Sequence, residues 1–252
     1  MTPPRALLHI GKHKTGTTSF QKYLTENSAQ FAGDGLLFVP MTLANLIAAS
    51  LIRNRMPIPP VKALAKAGIE PSVAAARDGL QEFLAGRRFR ALILSCEHFS
   101  YFRDPSEVEA LKDLLKDAAG VDPRDVSVCL MLRDPDSFLR SYKRQIVKTG
   151  HGTSEDKASP YYCEADSWLL DDTAIKDLWW SHFNRLDVLQ YETGDAVFQL
   201  CKAMAIPAPG DPSAYRENKG DSALVSWGRK NLPKPVKNRI VKLARSFRKK
   251  AR

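Results

Sequence analysis

The sequence predicts an α/β fold of three layers, a central parallel sheet flanked by helices. Three observations carry that reading. Five short apolar runs punctuate the 252-residue chain without polar alternation, as strands buried on both faces do. Helical periodicity separates them, which supplies the crossovers a parallel sheet needs. The first run ends on a glycine- and threonine-rich loop that opens a helix.

The elements follow in order. Ala6 to Ile10 is a buried strand that meets Gly11. Ser19 to Phe31 carries Phe20, Tyr23, Leu24 and Phe31 at helical spacing. Gly35 to Pro40 is a second strand, stopped by proline. Residues 41–90 are helical, interrupted around Pro57-Ile58-Pro59-Pro60, and Phe89 to Cys96 is a third strand. Ser106 to Ala119 is a helix, with Ser106 as N-cap and Glu109 three residues on. Val126 to Leu132 is a fourth strand and Pro135 to Lys148 the helix after it. Residues 150–166 are a polar surface loop, Leu186 to Gln190 a last strand, and Asp195 to Ala205 a helix. Ligands of such sheets bind beyond the carboxyl ends of the strands. His9, Cys96 and Leu132 stand near those ends, so the segments after them should converge.

Composition narrows the function classes. With 44% hydrophobic residues the chain can build one large core. Cys96, Cys129, Cys163 and Cys201 form no C-x-x-C pair, which removes zinc-ribbon and thioredoxin readings. The N-terminal apolar run is too short for a signal-peptide core, and Leu43 to Ile52 falls short of a membrane span. A cytosolic protein is expected. The net charge is +10, but residues 229–252 hold eleven Lys and Arg and no Asp or Glu. The body is near neutral, so a nucleic-acid groove is not expected.

Gly11-Lys12-His13-Lys14-Thr15-Gly16-Thr17-Thr18 lies between strand and helix. Glycine permits close backbone approach, and a helix N-terminus offers unpaired N–H groups and a positive dipole end to phosphate. Thr15, Thr17, Thr18 and Ser19 add hydroxyls, while Lys12 and Lys14 add charge. The spacing fits G-x-x-x-x-G, but Thr17 stands where a nucleotide hydrolase has its phosphate lysine. The plain alternative is a turn that only caps a helix. After the fourth strand, Arg133 offers a planar charged fork, and Ser141 follows eight residues later, two turns into a helix. At the end of the third strand, Glu97 and His98 are each able to act as a base. If the strand persists they point to opposite sides, so one of them reaches the reacting atom, with Glu97 favoured.

Lys14-Thr15-Gly16-Thr17-Thr18 resembles the K-[ST]-G-T-T loop of sulfotransferases that use 3′-phosphoadenosine 5′-phosphosulfate, and the string from His9 to Thr18 resembles their bacterial members. The resemblance implies a P-loop-like sulfotransferase fold over residues 1–228. It implies that the loop, from Lys12 through Gly16 to Ser19, holds the 5′-phosphosulfate end, with Lys14 as catalytic lysine. Arg133 and Ser141 match the family's 3′-phosphate pair. Glu97 or His98 takes the place of the base, and no metal is needed. Many eukaryotic members have Trp after the second Thr, where this chain has Ser19, so its adenine contact comes from elsewhere. The resemblance and the acidic base point to a carbohydrate hydroxyl as acceptor. The rival readings are a P-loop kinase or NTPase, and a non-catalytic nucleotide- or membrane-binding module.

Weaker signals complete the reading. Asp187 to Glu192 resembles a late family strand ending in Y-E and speaks for fold more than chemistry. Tyr215 to Gly220 lies where the family has a basic loop over the 3′-phosphate, which brings in Lys219. Trp168, Trp179 and Trp180 are core residues or line an acceptor cleft. In 229–252, Val236, Ile240, Leu243, Ala244 and Phe247 share a helical face among basic residues, a pattern suited to an anionic membrane surface. A docked helix or a loose tail fits it as well.

Overall fold

The computed structural model describes residues 3–53 and 56–215. Lys219, most of the Tyr215–Gly220 segment, the boundary at 228 and the basic stretch 229–252 lie outside the described residues. Five parallel strands form one sheet: β1 (Arg5–His9), β2 (Leu36–Phe38), β3 (Ala91–Ser95), β4 (Val126–Leu132) and β5 (Arg185–Gln190), in spatial order β2-β3-β1-β4-β5. All five correspond to predicted strands. β1 is central, and its end pairs His9 with Ser95 on one side and with Cys129 on the other.

Successive strand residues serve opposite faces, and each face has its own core. On one face Leu7, Ile93, Cys129 and Met131 pack against α1 (Thr17–Glu26), α2 (Ser28–Gly33) and α9 (Ala196–Ala203). On the other, Leu8, Leu94, Val128 and Leu130 pack against α3 (Met41–Leu51), α5 (Val73–Leu84), α6 (Pro105–Ala119), α7 (Pro135–Lys148) and α8 (Asp172–Trp180). A further helix, α4 (Pro59–Lys66), follows the proline-rich interruption and begins with Pro at its first turn, where the missing N–H costs nothing.

Three elements differ from the sequence reading. The helix expected over Ser19 to Phe31 is two helices. Asn27 ends the first, its side-chain amide donating to Tyr23 O at 2.9 Å, the local competition with helical bonding that asparagine brings. α6 is capped by Asp104, not Ser106. Pro105 takes the first helical position, and Glu107 closes a capping box with Asp104. α8 has no counterpart in the sequence reading, which assigns no element there.

Candidate active site

Beyond β1 the chain stays in register with β4. Ile10 N–H donates to Cys129 O and Lys12 N–H to Met131 O, each at 3.0 Å. A Cβ at Gly11 would lie 2.5 Å from His9 Nε2 and 3.1 Å from Met131 Cβ, so this path admits only glycine. Gly16 is required twice over. Its φ is 82°, and a Cβ there would meet Ala196 Cβ in α9 at 2.6 Å. Lys14 is left-handed too, at φ 65°, which costs a residue with a side chain about 1 kcal/mol. Arg133 Nη1 donates to the carbonyl of Lys14 at 2.7 Å. A hydrogen bond from a charged donor contributes about 2 kcal/mol, enough to hold the loop in that shape. The two anion-binding segments read from the sequence therefore meet directly.

The start of α1 is left open. Gly16 caps it without a side chain, and no acidic residue occupies the first turn. At α7 and α9, which begin beside the loop, Asp134 and Asp195 accept from the first N–H groups. Thr17 Oγ1 is buried without a hydrogen-bond partner. An oxyanion bound at this N-terminus would meet N–H groups that no cap side chain uses, a positive dipole end and an unused hydroxyl. The residues present thus fit a phosphate or sulfate group. Thr15 differs, its hydroxyl donating to Lys12 O at 2.5 Å. Ser19 is buried, and Gly16, Thr18 and Ser141 are half-buried.

Lys12 and Lys14 go separate ways. Lys12 is buried, its ammonium held by Asp172 of α8 and lying 5.1 Å above the Phe138 ring. Burial lowers its pKa, and Asp172 offsets part of that. Lys14 is half-buried. Burial lowers its pKa as well, then Arg133 and Lys148, against an opposing pull from Glu97. The side chains of Lys12 and His13 mount α7 in sequence, Lys12 over Phe138 and His13 stacked on Tyr142 at 5.3 Å.

β3 ends at Ser95, and Glu97–Tyr101 form a short 3-10 turn. The strand alternation that would set Glu97 and His98 on opposite faces does not reach them. The Glu97 side chain is 23% exposed, whereas His98 is 6% exposed, with Nδ1 3.6 Å from Cys96 Sγ. His13 brings Nδ1 to 4.0 Å from Glu97 Oε1 and its ring to 5.1 Å from His98. The Nε2 atoms of His13 and His98 are buried without partners. Burial pushes His98 down, His13 down to about 3 and His9 down to about 4. Burial pushes the Glu97 carboxyl up, but His98 and His13 beside it outweigh this and hold it below the usual carboxylate range.

Several neighbours were not singled out from the sequence. Gln21 of α1 donates to Ser95 O at 2.9 Å and approaches Glu97 Oε2 at 3.5 Å. The one signal for it is a buried glutamine between Phe20 and Leu24. Tyr101 and Tyr142 share a 2.6 Å hydrogen bond beneath His13, and Tyr142 donates to Pro160 O. Tyr191 and Glu192, read for fold alone, join the site. The Arg133 guanidinium lies 4.9 Å above the Tyr191 ring, and Glu192 Oε1 stands 3.7 Å from Arg133 Nε. Of the tryptophans, Trp179 is core and Trp180 is exposed. Trp168 faces Tyr101 at 5.8 Å, with Arg53 and Arg103 over its ring.

Solved structures place this architecture. A sulfotransferase from Alicyclobacillus acidocaldarius superposes with a TM-score of 0.56, over 84% of this chain and 86% of its own, at 17% identity. The two proteins share a fold. A gluconokinase from Sinorhizobium meliloti 1021 aligns more loosely, with a TM-score of 0.37 at 13% identity, over 81% of this chain and 94% of that one. No family model and no curated protein matches the sequence. Among the described residues no group of three His, Cys, Asp or Glu is arranged to hold a metal ion, and no helix is long and apolar enough to cross a membrane.

Proposed function

We propose that this protein is a cytosolic sulfotransferase, moving a sulfuryl group from 3′-phosphoadenosine 5′-phosphosulfate to a carbohydrate hydroxyl, with residues 1–228 as its catalytic domain. The observation that carries the reading is the hydrogen bond from Arg133 to the carbonyl of Lys14. It joins a loop suited to the 5′ end of the donor to an Arg–Ser pair suited to the 3′-phosphate. ATP has no 3′-phosphate and would leave that pair without a use.

The donor supplies the sulfuryl group, whose bond to the nucleotide phosphate breaks as the acceptor oxygen bonds to sulfur. Glu97, ionised and partly open to solvent, takes the hydroxyl proton. His98 is the other candidate, neutral but more deeply buried. The Lys14 ammonium stabilises the charge that grows on the bridging oxygen, with the N–H groups at the start of α1 beside it. Arg133 and Ser141 bind the 3′-phosphate, and Arg133 also fixes the backbone that carries Lys14. Lys12, buried and bound to the half-buried carboxylate of Asp172, orders the loop.

Calorimetric titration with adenosine 3′,5′-diphosphate and with ATP plus magnesium tests the donor. Preference for the diphosphate is expected. Preference for ATP would overturn the reading in favour of a kinase or NTPase.

A further inference from the structure

Gln21 stands where the two halves of the candidate site meet, and no step above uses it. It lies on α1 one turn beyond Thr17, on the same side of the helix by the i, i+4 spacing. Gln21 is 3% exposed, and a buried amide needs partners for its N–H groups. Its Nε2 donates to Ser95 O at 2.9 Å and stands 3.5 Å from Glu97 Oε2. One nitrogen with two hydrogens thus serves both oxygens. The second contact is long for a hydrogen bond, as catalytic contacts often are before substrate is bound.

Ser95 is a firm anchor for that amide. It closes β3 in register with His9, and its hydroxyl lies 2.8 Å from His9 Nδ1. The next N–H, of Cys96, donates to His9 O at 3.0 Å. On the other oxygen of Glu97, Oε1, His13 Nδ1 stands at 4.0 Å. The carboxylate is therefore approached from α1 and from the loop that opens α1. An apolar side chain of similar length would fill the space of Gln21, so packing alone does not call for an amide there. From Thr17 to Gln21 the helix rises about 6 Å. In the proposed reading α1 offers its open first turn to the sulfuryl donor and, one turn on, an amide to the base. We infer that Gln21 is a positioning residue: anchored on Ser95 O, its amide orients the Glu97 carboxylate and sets it at a fixed distance from the donor end of α1. The inference rests on the proposed role of Glu97 in sulfuryl transfer and adds the residue that aims it.

The test uses the full chain. Gln21→Met keeps the length and removes the N–H groups, while Gln21→Glu keeps the length and adds a like charge. Turnover is followed against pH as release of adenosine 3′,5′-diphosphate in the presence of an accepted alcohol. Gln21→Met should lower kcat about tenfold, the loss of one hydrogen bond to a charged group, with the donor KM within about twofold. The acid limb should move to higher pH, because the lost N–H favours ionised Glu97, and in Gln21→Glu it should move further. The other groups whose fields reach Glu97 are His9 of β1, His13 and Lys14 of the loop, and Cys96, His98 and Tyr101 of its own segment. Both variants leave these in place. A glutamine that only braced Ser95 would lower the melting temperature and leave the acid limb where it is. For the case in which neither variant folds, the side-chain amide of Gln21 is followed in wild type by proton–nitrogen NMR. Its signal should move as Glu97 protonates and should cease to do so in Glu97→Gln. Unchanged turnover in Gln21→Met, an unmoved acid limb in both variants, or an amide signal indifferent to Glu97→Gln would overturn the inference. The NMR measurement needs no donor, and affinity for adenosine 3′,5′-diphosphate is measured separately, so failure of the sulfuryl-transfer reading and failure of this one are told apart.

Discussion

The two halves of the candidate site are built from opposite materials. The donor half is made of backbone: an uncapped helix start, two glycines forced by close contacts, and a carbonyl held by Arg133. The acceptor half is made of buried rings: His13, His98, Tyr101 and Tyr142 packed at 5.1–5.9 Å around a single carboxylate. A backbone cradle tolerates polar ligands of one charge and shape. On the proposed reading, binding falls to one side and proton transfer to the other, and each variant below strains that division.

The largest effect is expected at Glu97. Glu97→Gln should lower turnover on the order of 10³-fold, in the range of general-base loss, with donor affinity unchanged. Turnover is read as release of adenosine 3′,5′-diphosphate in the presence of an accepted alcohol. The wild-type rate should be flat just above the ordinary histidine value, because burial pushes all three histidines down and Glu97 lies below its usual value. It should fall in acid as Glu97 protonates. An inflection near the ordinary histidine value, or an unimpaired Glu97→Gln, would pass the base role to His98.

Lys14→Ala comes next, on the order of 10²-fold in turnover, the scale of removing one charge-stabilising donor, with a much smaller change in donor affinity. Its lowered pKa adds an alkaline limb, since the working form is protonated and is lost as pH rises through a value below that of free lysine. Unchanged turnover would remove Lys14 from the role.

Arg133→Met should act on binding, weakening adenosine 3′,5′-diphosphate by roughly tenfold or more, one lost charge-assisted bond being worth that much. If turnover at saturating donor fell instead, the loop shape rather than the phosphate contact would be its main contribution.

The smallest effect on the chemistry is expected at Asp172. Asp172→Asn should cost about 2 kcal/mol of stability by leaving Lys12 without its counter-charge, measured by urea denaturation, with donor affinity within about twofold. A large loss of donor affinity would mean that Lys12 serves the ligand after all.

The proposed donor half could be read from the sequence because its determinants are local. A strand, two glycines, hydroxyls and a helix start lie in the fifteen residues from Arg5 to Ser19, and Arg133 and Ser141 lie on one strand end and the helix after it. Five strands without alternation likewise specify a parallel sheet, because burial on both faces leaves no polar side to show. Tertiary structure decided the rest. The end of β3 at Ser95 replaced strand alternation with a 3-10 turn at Glu97 and His98. It also set the two loop lysines apart, sending Lys12 to Asp172, 160 residues away in sequence, a partner the chain does not announce. His13 and Tyr191 lie in stretches read for the donor loop and for the fold, and Gln21 shows only as a polar residue among apolar ones. They joined the site because sheet order sets β1 between β3 and β4, which brings together the segments that follow those strands.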